Sequence, residues 1–278
     1  MMDAVRLLDG PELRRQRQDL ANNGVICLRQ CMDERALNQA RQAYQWSLEH
    51  PGPFAGQVLE GADGSFYQDH ANPRAFPHYR PLLVDSGLAS CLAALLATHR
   101  LWLLYEQIWL KSENCRATPW HQDLPYVPLG GHQLATIWIN LEPVAEQWSL
   151  SFVSGSHLGP LYNPTTFKAE TPEQAMFDDP SWPPLPVLDD KISPAPLRWA
   201  QVPGDIIVFH PAILHGGGAT GGGVTRRSLS LRVFGDDAHC AARPFTVPAT
   251  TATDDPVTAM FQRSPGSPFR HPGFPRLV

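Results

Sequence analysis

The sequence lacks three features that would assign it to large classes of protein. It has no run of lysine and arginine, and its formal net charge of -5 at pH 7 provides no positive field for a polyanion. No apolar run is long enough to cross a bilayer, and the N-terminal segment becomes charged too early for a secretory signal. The sequence therefore predicts no nucleic-acid partner and no membrane span, and it predicts a cytoplasmic protein.

Cysteine is scarce as well. The five cysteines are odd in number, scattered and without a Cys-x-x-Cys pair, which indicates reduced thiols and not a disulfide framework or a zinc knuckle. Hydrophobic residues, in contrast, make up 43% of the 278 positions, enough for a sizeable core. We expect a globular protein in which residues 1–278 form a single domain.

The chain divides into a helical part and a strand-rich part. Residues 1–100 are mainly helical by their periodicity, with one short strand, GVICLR, and Asp33 as the cap of the helix that follows. From Leu101 short apolar segments alternate with turn residues and no helices lie between them. This pattern predicts mainly β structure with a helical flank, a jelly-roll core over residues 101–237 and a C-terminal tail over residues 238–278.

One long segment interrupts the predicted core. Residues 162–196 are rich in proline and acidic residues and have no hydrophobic periodicity. Long irregular loops in compact domains are more often functional than decorative. We interpret the segment as either a disordered insert or a lid across the mouth of the barrel.

The stretch TPWHQDLPY contains the first candidate for chemistry. His121 and Asp123 are two positions apart, so on a strand both side chains would point to the same face and could bind one cation. Such a pair is frequent by chance, and alone it is more typical of an ordinary hydrogen-bonded polar pair. A metal site requires a third ligand.

His215 is the best candidate for that ligand. It stands at the end of the apolar strand segment PGDIIVFHPAILHGGG, directly before a glycine run that allows close approach of a bound group. His210 is a rival five positions earlier, beyond Pro211, and we expect it to be structural. Two histidines and one carboxylate occupy one face of an octahedral metal and leave the other face open, as in non-haem Fe(II) oxygenases.

An arginine on the next predicted strand completes the pattern. Arg226 lies eleven positions after His215, and a guanidinium offers two parallel donors to a carboxylate. Arg227 is adjacent, and the alternation of a strand allows only one of the two to face inward. A metal triad with an arginine is far more specific than the His-x-Asp pair by itself.

Four segments in this order, WHQD, VSGSH, PGDIIVFHPAILHGGG and RRSLSLR, resemble the phytanoyl-CoA dioxygenase family of Fe(II)- and 2-oxoglutarate-dependent oxygenases. The similarity runs from about Gly24 to about Asp237. The resemblance implies a double-stranded β-helix core of the cupin-like, jelly-roll type.

The resemblance also implies the cofactors and the reaction. Fe(II) would be held by His121, Asp123 and His215, and the distal carboxylate of 2-oxoglutarate by Arg226, chosen over its neighbour on the family's spacing. O2 would be the second cosubstrate, with hydroxylation of an unactivated C–H bond and release of succinate and CO2. Because relatives that halogenate have a small residue in place of this carboxylate ligand, Asp123 favours oxygenation over chlorination.

Further positions correspond to the family's cosubstrate pocket. Gln122, Trp138 and Gln107 are similar to residues that line it in relatives. Family members often have serine or threonine two residues after the distal histidine, where this chain has Gly217. The hydrogen bond that such a hydroxyl makes to 2-oxoglutarate must therefore be absent or come from elsewhere.

Four residues are candidates for substrate contacts. Tyr105 and Tyr126 could line a pocket or belong to the core, and His157 could contact substrate or make a hydrogen bond that stabilises a turn. Arg232 could pair with Asp236 or with substrate. By analogy with bacterial members of the family, the substrate is expected to be a small polar molecule or a natural product.

Two other functions use the same residues. A hydrolase could bind zinc with this ligand set, and a small-molecule-binding protein without activity could keep the same fold. Arg226 and the VSGSH turn have no evident task in a hydrolase, and a binding protein that had lost catalysis would be expected to have lost a ligand. The oligomeric state and the choice between hydroxylation, desaturation and cyclisation stay open at this point.

Overall fold

The structure is a computed structural model that describes residues 5, 9–58, 64–166, 171, 174–188, 195–244 and 255–278. Its helices are α1 Gly10–Asn23, α2 Glu34–Glu49, α3 Phe76–Arg80, α4 Leu88–Leu95 and α5 Pro256–Met260. As expected, Asp33 caps α2, because its carboxylate accepts a hydrogen bond of 2.9 Å from the backbone N–H of Ala36. Within the described ranges, no helix has both the length and the apolar character to span a membrane.

The strands form antiparallel sheets. They are β1 Val25–Leu28, β2 Gly56–Gln57, β3 Phe66–His70, β4 Trp102–Lys111, β5 Thr118–His121, β6 Leu129–Gly130, β7 Leu134–Asn140, β8 Leu150–Phe152, β9 Ile206–Phe209, β10 His215–Gly217, β11 Arg226–Phe234 and β12 His239–Cys240. The main sheet has the order β1-β9-β7-β11-β4-β3-β2, and a second sheet has the order β5-β10-β8. β6 pairs with β12. This is the predicted jelly-roll core with helices beside it.

The main sheet is covered on both faces, and strand alternation separates its two environments. On β11, Leu229 and Leu231 belong to the same buried cluster as Leu37 of α2 and Leu92 of α4. Ser228 and the following even-numbered residues point to the opposite face of the strand. The helices therefore cover the apolar face, and the face with polar side chains looks toward the second sheet.

The N-terminal part of the chain is more than a helical flank. In addition to the predicted strand β1, which pairs with β9, the chain before residue 100 supplies β2 and β3 to the edge of the main sheet. These strands were missed because β2 has only two residues and β3, FYQDH, is polar. Pairing of β3 with the long strand β4, and of β2 with β3, fixes their position, and not intrinsic propensity.

The segment expected to be a tail packs onto the core. Phe269 and Phe274 each lie 5.2 Å from the ring of Phe234 at the end of β11, in T-shaped contacts. The backbone N–H of Leu103 in β4 also donates to the carbonyl of Pro275 at 2.9 Å. The last described residues thus cover one edge of the barrel.

Residues 162–196 have no helix or strand where the structure describes them, and part of the segment lies outside the described residues. Two hydrogen bonds nevertheless connect residues that are 14 positions apart in the segment. The Asn163 side-chain amide donates to Phe177 O at 2.8 Å, and Phe177 N donates to Asn163 Oδ1 at 2.9 Å. Thr165 forms a bridge with Ala175. The described part of the segment is therefore held by specific contacts.

Candidate active site

The three predicted ligands come together between the two sheets. His121 ends β5 and His215 begins β10, and the two residues are cross-strand partners with ring centroids 4.2 Å apart. Asp123 stands at the start of the turn after β5. Its Oδ1 lies 3.6 Å from Nε2 of His121 and 4.0 Å from Nε2 of His215. One potential ligand atom from each residue falls within 4.8 Å of the others.

The tautomers of both histidines suit metal binding. Nδ1 of His121 lies 2.8 Å from the carbonyl of Pro119, and Nδ1 of His215 lies 3.1 Å from the carbonyl of Ile213. Because a carbonyl only accepts, each Nδ1 must carry the proton, and each Nε2 lone pair is directed to the centre of the cluster. Burial, assisted by the nearby His121, lowers the pKa of His215 to about 3, so its imidazole stays neutral.

Asp123 stays ionised in spite of its environment. Burial by itself raises the pKa of this carboxyl. The neighbouring Arg232 and the two histidines have the opposite and larger combined effect, so the pKa lies well below its usual range. Arg232 Nη2 donates to Asp123 Oδ2 at 3.1 Å, which leaves Oδ1 for a cation. Two imidazole nitrogens and one carboxylate oxygen on one side fit Fe(II), and the donor set would equally accept other divalent metals.

Arg232 does not pair with Asp236, one of the two partners considered for it in the sequence. Besides Asp123, it donates to Gln107 Oε1 at 2.7 Å and to Ser230 Oγ at 3.0 Å, and it lies over the ring of Tyr105. Asp236 instead pairs with Arg100 at 2.6 Å. The partner of Arg232 is thus the candidate metal ligand, a pairing that strand spacing alone could not reveal because the two residues are 109 positions apart.

A cavity of about 430 Å³ contains the cluster, a size typical of small-molecule sites. Arg226 and Arg232 both line it from β11, and their separation of six residues in an extended strand is roughly 20 Å. Thr118 and Gly217 accompany Arg226 in the lining. The lining also includes six polar or aromatic side chains from β2, β3, β4 and the turn after β5: Gln57, Gln68, His70, Tyr105, Gln107 and Tyr126.

The structure separates Arg226 from Arg227. Arg226 is 5% exposed, lines the cavity and donates to the backbone carbonyls of Trp148 and Gly218. Burial lowers its pKa to about 10, which leaves it charged at neutral pH. Arg227 is exposed on the other face of β11 and forms an ion pair with Glu142. Of the two arginines, only Arg226 can bind a ligand in the cavity.

Two of the predicted site residues lie elsewhere. Gln122 does not line the cavity, because strand alternation turns it away from its neighbours; its amide donates to Ala212 O at 2.7 Å and accepts from Tyr162 N at 2.9 Å. His157 also lies outside the lining, and its Nε2 is 3.1 Å from the carbonyl of Ala21. Both side chains therefore join segments of the fold. The expected place of Gln122 in the pocket lining is corrected, and His157 makes a structural hydrogen bond, one of the two roles considered for it.

The other predicted positions do line the cavity. Trp138 does so while its indole N–H donates to Asn140 at 3.0 Å, and Gln107 does so between Gln68 and Arg232. Tyr105 and Tyr126 are lining residues as well. His210, expected to be structural, accepts a hydrogen bond from the backbone N–H of Ala212 and is outside the lining.

Sequence patterns gave no indication of three residues near the site. His70 lies on the missed strand β3, Thr118 begins β5, and Lys111 ends β4 directly opposite Arg226. Lys111 is 1% exposed, although a lysine at a strand end is usually solvated. The signal that places these residues at the site is strand register, which a single sequence does not contain.

Comparison with known proteins agrees with this geometry. Residues 20–228 match the phytanoyl-CoA dioxygenase (PhyH) family. A probable phytanoyl-CoA dioxygenase from Caenorhabditis elegans is 26% identical over 246 residues, which cover 80% of this chain and 75% of that protein.

Two solved structures share the fold over nearly the whole chain. The epimerase SnoN, crystallised with Fe3+, alpha-ketoglutarate and nogalamycin RO, superposes with a TM-score of 0.71 at 19% identity, covering 97% of this chain and 100% of that one. The carbocyclase SnoK from nogalamycin biosynthesis gives 0.68 at 20% identity, covering 95% and 96%. The family match spans most of the chain and includes the whole metal-ligand cluster, and the protein is therefore a member of the phytanoyl-CoA dioxygenase family.

Proposed function

We propose that this protein is an Fe(II)- and 2-oxoglutarate-dependent oxygenase that hydroxylates a C–H bond of a small, uncharged substrate. One observation carries the proposal. The same cavity contains a two-histidine, one-carboxylate cluster, in which both Nδ1 atoms face backbone carbonyls, and, on its wall, the buried Arg226, whose hydrogen bonds also go to backbone carbonyls. Family membership supports the same class of chemistry.

The side chains divide between holding the metal and orienting the cosubstrate. His121, Asp123 and His215 would hold Fe(II) on one side and leave its other positions for ligands. When bound, Fe(II), 2-oxoglutarate and O2 supply oxidative decarboxylation to succinate and CO2, coupled to oxidation of a C–H bond. Arg226 would orient the cosubstrate by pairing with its distal carboxylate.

The charged side chains of the cavity all have other partners, so none is left to pair with a charged substrate. Among the described lining residues the charged groups are Asp123, Arg232 and Arg226; the first two neutralise one another, and the third is reserved for 2-oxoglutarate. Burial, and secondarily Arg232, lowers the pKa of His70 to about 4, so this ring is neutral as well. A substrate with phosphate groups would need a further cation on this wall.

The polar groups beside Arg232 can recognise hydroxyl or carbonyl groups. Nδ1 of His70 is buried without a hydrogen-bond partner among the described residues, while the ring stacks on Phe54 at 4.9 Å. The side chains of Gln57, Gln68 and Tyr105 also line the cavity. Flat aromatic surface with neutral donors and acceptors suits a polyhydroxylated or cyclic natural product.

A substrate screen tests the function. After anaerobic reconstitution with Fe(II) and 2-oxoglutarate, O2 is admitted and succinate is measured for each uncharged candidate. A hydroxylated product gains one oxygen from O2, whereas epimerisation leaves the mass unchanged and cyclisation removes two hydrogens. Conversion that proceeds without O2 and 2-oxoglutarate would instead identify the zinc hydrolase alternative.

His70 offers a variant that separates substrate binding from cosubstrate binding. His70→Phe keeps the stacked ring but loses the neutral ring nitrogens, so we expect weaker substrate-stimulated succinate release and unchanged 2-oxoglutarate binding. His78→Phe is the matched control, because His78 stacks on Trp46, outside the cavity lining.

We further propose that residues 162–196 act as a lid. The Tyr126 hydroxyl donates to Thr165 O at 2.8 Å and accepts from Thr165 N at 3.1 Å, and Thr166 lines the cavity. These contacts join the segment to the turn that follows Asp123. Limited proteolysis should show stronger protection of the segment with iron, 2-oxoglutarate and substrate than without them; equal cleavage would exclude closure.

A further inference from the structure

A chain of side-chain hydrogen bonds runs along one wall of the cavity. Arg232 on β11 donates to Gln107 Oε1 on β4 at 2.7 Å, and Gln107 Nε2 donates to Gln68 Oε1 on β3. The sheet register places Gln107 diagonally between the other two residues, a spacing that long side chains can bridge. All three side chains line the cavity. The chain thus connects the metal cluster, where Arg232 holds Asp123, to strand β3.

The arginine fixes the direction of this chain. A guanidinium carries donors and no acceptor, so the Gln107 atom that faces Arg232 must be the amide oxygen. The amide nitrogen of Gln107 therefore faces Gln68, and the atom that accepts from it must be the Gln68 oxygen. Side-chain amides are often ambiguous, because their oxygen and nitrogen atoms are alike in shape. Here the arginine determines the orientation of both glutamines.

Gln68 ends the chain with a free amide nitrogen. Its oxygen accepts from Gln107, and its Nε2 donates to no residue that the structure describes. Two N–H donors on a residue that lines the cavity are therefore left for a ligand. The opposite orientation of the amide would present an acceptor at the same place. The ligand group beside Gln68 must accordingly be a hydrogen-bond acceptor.

The side chains around Gln68 are aromatic and uncharged. His70 points to the same face of β3 and stacks on Phe54 at 4.9 Å, and its pKa is lowered to about 4, mainly by burial. Trp109 is the cross-strand partner of Gln68, and it lines the cavity as well. Flat, neutral surface beside a fixed N–H donor suits a ring that carries a carbonyl or ether oxygen.

Gln68 lies away from the arginine that would bind 2-oxoglutarate. Strand β4 separates β3 from β11, so these two strands are roughly 10 Å apart at the usual strand spacing. On the cavity face Trp109 stands between Gln68 and Ser228. Arg226 lies at the start of β11, beyond Ser228. A cosubstrate that is paired with Arg226 would therefore leave the Gln68 amide to the substrate.

We propose that Gln68 is a specificity-determining residue that donates to a carbonyl or ether oxygen on a cyclic substrate, and that Gln107 is its positioning residue. The inference rests on the proposed function and names the substrate group that the cavity recognises. Because Arg232 orients both Asp123 and the two glutamines, a substrate held by Gln68 is oriented by the side chain that also orients a metal ligand.

Three bicyclic probes test the contact at Gln68. Tetralone carries a ketone, which only accepts; tetralol carries a hydroxyl, which accepts and donates; tetralin carries neither. Equilibrium dialysis without O2, on protein loaded with Fe(II) and 2-oxoglutarate, gives their dissociation constants. Gln68→Met keeps the length of the side chain but has no N–H donor, so it should bind tetralone about threefold to tenfold more weakly than wild type, and tetralin no more weakly. Gln18→Met, at an exposed position of α1, is the control and should bind all three probes as wild type does.

A carboxylate at either glutamine position should reverse the preference. Gln68→Glu accepts from Gln107 and presents only acceptor atoms to the cavity, so the ratio of tetralone to tetralol affinity should fall below that of Gln68→Met. Gln107→Glu should shift the ratio in the same direction without any change at residue 68. Its carboxylate accepts from Arg232 and turns the Gln68 nitrogen toward itself, so that the Gln68 oxygen faces the cavity. In the double variant Gln68→Met/Gln107→Glu this shift should disappear, because residue 107 acts through residue 68.

The outcomes separate this inference from the function. If wild-type protein with Fe(II) did not bind 2-oxoglutarate, the proposed function itself would fail. If wild type bound 2-oxoglutarate, but tetralone bound equally to wild type and to folded Gln68→Met, or to neither, only the role of Gln68 would fail. A shift toward tetralol that persisted in the double variant would exclude the positioning role of Gln107. Thermal unfolding checks that each variant is folded, and Gln68→Glu keeps the test decisive if Gln107→Glu does not fold.

Discussion

Arg232 and Asp123 form a buried pair in which the arginine takes one carboxylate oxygen, at 3.1 Å, and leaves the other facing two histidines. That second oxygen lies 3.6 Å from Nε2 of His121 and 4.0 Å from Nε2 of His215. The pair therefore fixes which oxygen can bind a metal. It also keeps the carboxylate charged before any metal arrives.

We expect Arg232→Met to make the stability of the protein depend more strongly on metal. Without the arginine, a buried carboxylate has lost its cation, which costs about 3 to 5 kcal/mol. Bound Fe(II) supplies a replacement charge. Scanning fluorimetry should thus show a lower unfolding midpoint for the metal-free variant and a larger rise on anaerobic addition of Fe(II).

Arg227→Met is the matched control for that measurement. Its ion pair with Glu142 is exposed, and such pairs contribute roughly 0 to 1 kcal/mol. Both its metal-free midpoint and its metal-induced shift should be near wild type. An Arg232→Met protein with a wild-type metal-induced shift would show that the pair does not contribute to the metal site.

Removal of either imidazole should abolish metal binding. His121→Ala and His215→Ala each leave two protein ligands, too few to hold Fe(II) against water. Anaerobic equilibrium dialysis should find one Fe(II) per wild-type chain, and no stoichiometric binding by either variant. His210→Ala is the control, because His210 is near His215 in sequence but outside the cavity lining. Full metal affinity in either ligand variant would mean that the cluster is wrongly assigned.

The substitution Asp123→Gly tests the carboxylate ligand itself. We expect loss of hydroxylation and weaker iron binding, because the glycine leaves a metal position open. Partial recovery of 2-oxoglutarate decarboxylation should occur only when chloride or another anion is supplied at high concentration. Succinate and iron are measured with and without the anion. Near-wild-type hydroxylation with unchanged iron affinity and no anion response would limit Asp123 to orienting His121.

The group of three candidate metal ligands was predictable from the sequence, and the residues around it were not. His121 and Asp123 are close in sequence, and the position of His215 before a glycine run is a local signal. The partner of Asp123, in contrast, depends on the register of β11 with β4 and β7, which brings Arg232 to the cluster. Local patterns specify single strands, whereas side chains that meet across strands follow from the assembled sheet.

The errors have the same physical origin. Gln122 was assigned to the cosubstrate pocket from a family correspondence, although alternation turns it away from the face shared by its neighbours. The strand β3, which brings His70 to the cavity, has a polar sequence. It forms because it can pair along the edge of the long strand β4. The jelly-roll core was predictable because its strands are apolar and regularly separated by turn residues.

Arg226 and Arg227 allow a paired test of cosubstrate binding. Arg226→Ala should leave iron bound and raise the apparent Michaelis constant for 2-oxoglutarate roughly thirtyfold or more, since loss of a buried charge-assisted pair costs about 2 to 5 kcal/mol. Arg227→Ala removes only a surface ion pair and should leave that constant unchanged. Steady-state succinate formation measures both variants. A larger defect in Arg227→Ala would reverse the assignment.

We expect Lys111 to make 2-oxoglutarate binding depend on pH. Burial, followed by the nearby Arg226, lowers the pKa of this lysine from 10.5 to about 7, and Cys115 is the other ionisable group that acts on it. The unfolded chain keeps the lysine protonated up to its ordinary pKa. Between these two values the ligand-free fold therefore binds fewer protons than the unfolded chain, and the contribution of Lys111 to stability increases with pH.

An anion bound beside Lys111 favours its protonated form, so 2-oxoglutarate binding should take up a proton above the pKa of about 7. We expect the affinity for 2-oxoglutarate to fall as the pH rises from about 6.5 to about 8.5, and to level off on the acidic side, where the lysine is already charged. Calorimetry in buffers of different ionisation enthalpy measures both the affinity and the proton uptake. Lys111→Met should bind more weakly and lose this part of the pH dependence. If the variant kept the wild-type slope, the titrating group would have to be sought elsewhere in the site.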